Sequence, residues 1–123
     1  MALLFGAPNS PVAQPRNAVF GCLIAATIAV CFGYLGPTHA DVVPQWALVA
    51  LAPATAIAVN QRMGMLHPPA GAAALIFVSA GERITDLGWT YLLLPLLVGN
   101  VYCCGMAMLI NNISLARRYP VFY

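Results

Sequence analysis

"MGMLHPPAGAAALI", residues 63–76, places a titratable side chain and two helix breakers inside a chain that is otherwise almost wholly apolar. How this stretch is read decides the fold. Pro68 and Pro69 forbid a helix running straight through it, because proline lacks the N–H donor and its ring clashes with the preceding turn. Pro69 suits the first helical position, where the missing N–H would be unpaired anyway. The stretch therefore reads as a short helix over 69–80, entered from a non-helical "GMLHP". At about 1.5 Å per residue it covers roughly 18 Å, too little to cross a bilayer core of about 30 Å unaided.

Outward from this stretch the composition sets the class. Of 123 residues, 62% are hydrophobic and 7% are charged, against about 25% charged in a soluble domain. Such a chain cannot cover a water-facing surface, so it is an integral membrane protein. The net charge of +2 comes from dispersed arginines without any lysine, which excludes a nucleic-acid footprint. Cys22, Cys31, Cys103 and Cys104 lie in apolar runs without CxxC spacing. They read as small packing hydrophobes rather than metal ligands, and no cofactor is implied. "MALLFG" has no basic n-region and runs at once into "APNSP", unlike a secretory signal.

Three long charge-free stretches flank the proline pair: 18–36, 42–61 and 88–116. They predict full transmembrane helices at about 18–36, 45–61 and 89–115, so that residues 1–123 form one all-α bundle of three full spans plus the short helix at 69–80. Pro53 and Pro95 fall inside spans, where membrane helices tolerate them as kinks. Ala50, Ala52, Ala54, Ala56 and Ala58 keep the second span thin enough for close approach by neighbours. If the His-Pro-Pro segment crosses, Arg16, Arg62, Arg117 and Arg118 share one side, and Asp41, Glu82, Arg83 and Asp86 the other. If it re-enters, the arginines split three against two. The positive-inside rule favours the crossing, with the arginine-rich side cytoplasmic or stromal.

A second broken polar stretch, "GAPNSPVAQPRN" at 6–17, immediately precedes the first span. Non-helical backbone at membrane depth survives where protein or a water-filled cavity satisfies it, and paired interruptions point to a transporter's binding site. The start of the short helix offers unpaired N–H groups and the positive end of a dipole. The expected site therefore takes a small anion. His67 and the N–H groups of Ala70, Gly71 and Ala72 line it, with Asn9, Ser10, Gln14, Arg16 and Asn17 facing them. Plainer readings stay open: His67 caps its own helix or bonds a carbonyl, and residues 6–17 are a connecting loop. Trp46, Trp89, Tyr91 and the terminal "YPVFY" read as interfacial anchors. Asn100, Asn111 and Asn112 read as helix–helix hydrogen-bonding groups.

"LLFGAPNSPVAQPRN" at 3–17, "LHPPAGAAALI" at 66–76, "GWTYLLLPLLVGN" at 88–100 and "NNISLARRYP" at 111–120 resemble, in this order, the HPP family of integral membrane proteins, named for the His-Pro-Pro triplet. The resemblance implies a small helical membrane protein of four or more spans. Its plant members in the chloroplast envelope and its cyanobacterial relatives are associated with nitrite transport, so a chloroplast membrane or a bacterial inner membrane is the expected location. It assigns no substrate-binding residues. Family members carry a membrane helix before the "FGAP" motif, whereas here Met1 stands just ahead of it. The expectation is a shortened member, or one whose preceding segment is absent from this chain.

Two functions compete. One is a transporter or channel for a small inorganic anion, nitrite by the resemblance. The other is a structural or accessory subunit, packed as a homo-oligomer or in a larger membrane complex. Enzyme chemistry is not expected, because the sequence offers no paired carboxylates and no nucleophile–base motif.

Overall fold

The computed structural model describes residues 2–114 and 117–121. Among them the regular elements are helical: α1 (Ala2–Gly6), a 3-10 turn (Pro11–Ala13), α2 (Pro15–Tyr34), α3 (Gln45–Arg62), α4 (Pro68–Ser79), α5 (Glu82–Thr85), a kinked segment (Leu92–Leu97) and α6 (Val98–Asn111). Leu115, which ends the third expected span, lies outside the described residues, as do Phe122 and Tyr123 of the terminal aromatic group.

Among the described residues, two helical stretches are long and apolar enough to cross a membrane, Pro15–Tyr34 and Leu92–Asn111. The expected total of three full spans is corrected to this. The segment that drops out is α3. It has 18 residues, but Gln45, Thr55, Asn60, Gln61 and Arg62 replace apolar side chains within it, and alanine is a weak substitute for leucine or valine. The last stretch is also less regular than a single helix over 89–115. Leu94 takes extended dihedrals (φ −128°, ψ 116°) ahead of Pro95, as expected of a residue that precedes proline.

Helices α2, α3 and α4 form the core. Residues four apart stack on one helical face, and the buried residues follow that spacing: Leu48, Ala52, Ala56 and Asn60 on α3, and Ala70, Ala74 and Val78 on α4. Ala18, Cys22, Ala25, Ala29 and Gly33 form the matching strip on α2. Small side chains let the backbones come close, which is how membrane helices gain dispersion contacts without a hydrophobic drive between them. The thin helix is confirmed on one face: Ala52 and Ala56 pack inward, whereas Ala50, Ala54 and Ala58 are exposed. An every-second-residue alanine pattern cannot stay on one side of a 3.6-residue turn.

At one end of the bundle, Asn17 of α2 bonds the carbonyl of Leu66 (3.4 Å). At the opposite end, the amide of Gln45 donates to the carbonyl of Val78, and Phe77 packs on Tyr91 with ring centroids 4.9 Å apart. Helix α4 therefore runs from one end to the other and does not turn back. Residues 2–17, 60–68, 111–114 and 117–121 gather at the His67 end, held by Asn111 Nδ2 on Leu4 O (2.9 Å) and Tyr119 Oη on Ala13 O (2.8 Å). Arg16, Arg62, Arg117 and Arg118 thus share one end. Trp46 and Trp89 are exposed at the other, as anchors would be. Tyr91 is not such an anchor: it is 4% exposed and donates to Ala73 O at 3.0 Å.

Candidate functional site

The joint between α3 and α4 is built by a Schellman ending. Gly64 takes φ +65°, its N–H bonds Gln61 O, and the next N–H, of Met65, bonds Asn60 O. Glycine suits this position because a left-handed backbone costs it no Cβ clash. Met65 and Leu66 then lead, outside any helix, to His67, which is extended (φ −140°, ψ 105°) ahead of Pro68. Opposite lies Gly21 of α2, so close that an added Cβ would sit 2.6 Å from Met65 O and 3.2 Å from His67 Cβ.

His67 is 1% exposed, and its Nδ1 lies 2.7 Å from Val12 O. A carbonyl cannot donate, so Nδ1 carries the proton and donates. In the neutral ring Nε2 is then a bare lone pair, and it has no partner among the described residues. Asn60 is 1% exposed as well, with its Nδ2 donating to Gly21 O at 3.0 Å. The reverse amide orientation would set oxygen against oxygen, so Oδ1 is the free end, and it too lacks a partner among the described residues. Both side chains pack against Gly21. The joint therefore holds two buried, unsatisfied acceptors, each an expensive feature that native structures keep rare.

The N-terminal broken stretch does face this joint, through the Val12 carbonyl and through Asn17, whose Nδ2 also bonds Pro11 O at 3.0 Å. Its other polar groups are placed differently. Gln14 is committed to Pro8 O and Ser10 O by its amide nitrogen, and its Oε1 accepts from Val121 N. The Ser10 carbonyl accepts from Ala13 N, and Ser10 N–H bonds Ala7 O. Asn9 and Arg16 are exposed.

The free N–H groups expected at Ala70–Ala72 are not there. Prolines occupy the first two helical positions, and Ala70 N–H bonds His67 O at 2.8 Å. Gly71 and Ala72 come next, where the regular i→i−4 ladder begins. Gly71 is buried against α3, its absent Cβ 2.9 Å from Ile57 Cδ1, so its smallness serves helix packing rather than ligand approach. Ala72 is exposed instead on an apolar groove of about 420 Å³ lined by Cys22, Pro69, Ile76, Tyr91, Pro95 and Asn100, among others. Asn60 is the residue that sequence reasoning passed over. Its signal was present: it continues the Leu48, Ala52, Ala56 spacing onto the packed face.

These features define a small, all-helical integral membrane protein with a buried polar joint beside a proline-broken helix. The family model described as HPP, transmembrane region, matches residues 1–120, and the chain belongs to that family. Two transmembrane proteins of Dictyostelium discoideum are similar to it. One is 38% identical and the other 34%, each over 98% of this chain. The chain spans 38% and 41% of the lengths of these two relatives. No solved structure matches it.

Proposed function

We propose that this chain carries a small inorganic anion across the membrane, with the His67 joint as its binding place and nitrite, suggested by the family resemblance, as the candidate cargo. The observation that carries the reading is His67 Nε2: a buried ring nitrogen without a partner among the described residues, at a break in the helical framework. Intramembrane ionisable groups are expensive to keep and mark pathways by default. Arg16, Arg62, Arg117 and Arg118 at the same end supply a positive mouth that concentrates anions. The positive-inside rule then puts this end on the cytoplasmic or stromal face of a bacterial inner membrane or chloroplast membrane. The role proposed is not enzymatic. The test is flux: purified chain in liposomes, with nitrite uptake measured against protein-free liposomes. Uptake above that background supports the proposal, and its absence with folded protein removes it.

A second reading is favoured by the open apolar groove between α4 and the kinked segment. In it, the chain is an accessory unit that packs against further helices, in a homo-oligomer or a larger complex. Folded chain that is inert alone, and active when joined to such a partner, is the outcome that selects it.

A further inference from the structure

Resting on the transport reading, we propose that an anion occupies the His67 joint only together with a proton on His67 Nε2, so that the two cross as a neutral pair. The geometry of the ring carries this. Nδ1–H is committed to Val12 O at 2.7 Å, which leaves Nε2 as the atom able to meet a ligand. Neutral, it presents a lone pair, and beside Gly21 the Asn60 amide leaves a second acceptor, Oδ1. Anion oxygens are repelled by such a lining. A proton taken from the bulk by Nε2 converts the lone pair into a charged N–H donor, the stronger kind of hydrogen-bonding group.

The protonated ring also needs the anion. Among the described residues, the side chains that titrate or carry charge at this end of the packed elements are Arg16 and Cys22 of α2, Arg62 at the end of α3, and Arg117, Arg118 and Tyr119 of the C-terminal segment, while Cys31 and Tyr34 of α2 lie toward the opposite end and the 3-10 turn contributes the Val12 carbonyl alone. None is a carboxylate. Asp41 and Asp86 lie in connections at the opposite end, and Glu82 begins α5 there. An imidazolium inside this joint would be a buried charge without a counter-charge, and burying a lone charge is far costlier than burying an ion pair. Each ligand thus removes the penalty of the other. Such coupling is reciprocal: the anion raises proton affinity by the factor by which the proton raises anion affinity. No bond other than N–H forms or breaks, and the proton leaves with the anion on the far side.

The experiment loads liposomes holding the full chain with a pH-sensitive dye and uses nitrite as the probe, with protein-free liposomes as the blank for acid leak. A nitrite gradient alone should acidify the lumen, with one proton entering per anion. An imposed pH gradient should drive accumulation by about tenfold per pH unit, and membrane voltage should have no effect. His67→Gln keeps one N–H for Val12 O and supplies a second, permanent donor. It should leave uptake voltage-driven and stripped of its acid stimulation. Nitrite uptake without proton movement overturns the coupling and leaves transport standing. Absence of nitrite uptake at every pH removes transport and coupling together. Uptake of methylammonium in place of nitrite overturns the coupling by showing that the two acceptors hold a cationic donor. The wild-type dye measurement decides these outcomes even where the variant fails to fold.

Discussion

The side-chain amide of Asn60, in the last turn of α3, donates to the backbone carbonyl of Gly21 in α2 at 3.0 Å, across 39 residues of chain. Gly21 makes this approach possible, because any side chain there would meet the joint that follows α3. Gly21→Ala would set a methyl 2.6 Å from the Met65 carbonyl oxygen. Backbone cannot step aside as a flexible side chain can, so the expected loss is about 1–3 kcal/mol, read as a lower melting temperature in detergent. Gly105, with nothing within 4 Å of its virtual Cβ, is the control. Gly105→Ala should be neutral or slightly stabilising, by about 0.4–1 kcal/mol. Equal melting of the two variants would refute the tight contact at Gly21.

His67→Ala is expected to lose stability as well as flux. Truncation removes the donor to Val12 O and leaves a partly buried carbonyl unpaired, at a cost of about 1–3 kcal/mol. Flux per folded molecule is therefore the informative quantity. Normal flux per folded molecule would reduce His67 to a fastener of its loop.

Tyr119 ties the C-terminal segment to the N-terminal one through Ala13 O at 2.8 Å. Burial holds its phenol above the usual tyrosine range, because the folded site excludes the phenolate. A group whose folded pKa is raised contributes its stability below the unfolded pKa and loses it as pH rises. The clamp should thus be intact at neutral pH and weaken above about pH 10. Tyr119→Phe should cost about 1–3 kcal/mol at neutral pH and abolish the alkaline loss. Urea or thermal melts of both proteins at neutral and alkaline pH check it. An unchanged alkaline loss in Tyr119→Phe would assign that loss to another group.

Sidedness follows from the crossing of α4. Single cysteines at positions 62 and 117, in a background without the native cysteines, should label from one side of the membrane, and position 41 from the other. Opposite accessibility of 62 and 117 would contradict the path of α4 in this structure.

Much of the framework was legible because its causes are local. Two adjacent prolines must interrupt a helix wherever they stand, and α4 begins at Pro68, one residue ahead of the expected start. The run from Ala18 onward is apolar enough to call for a span, and Pro15 extends it by one turn at its start. The miss at α3 has a local cause too. The absence of charge marks this stretch as a span, although its polar ends and alanines make it the least apolar of the three.

The candidate site was legible in part. That residues 6–17 and the His-Pro-Pro stretch meet was inferred from two polar breaks in an apolar chain, since each needs protein to satisfy its backbone. Which atoms meet was not. The expected donors at Ala70–Ala72 are absorbed by the prolines and by the His67 carbonyl. Val12, an apolar residue without apparent chemistry, supplies the decisive partner through its backbone, and side-chain patterns carry no record of a carbonyl's use.

By itself, the sequence determined the class and the breaks. Composition and proline stereochemistry act through the covalent chain alone. The tertiary structure decided which face of α3 is packed, that Gly71 serves a helix contact, that Tyr91 turns inward, and that His67 presents an acceptor rather than a donor. Each depends on a partner many residues away in the chain, 55 in the case of Val12 and His67. The tautomer of an imidazole is set by whatever stands against its other nitrogen, and the fold alone brings that atom into place.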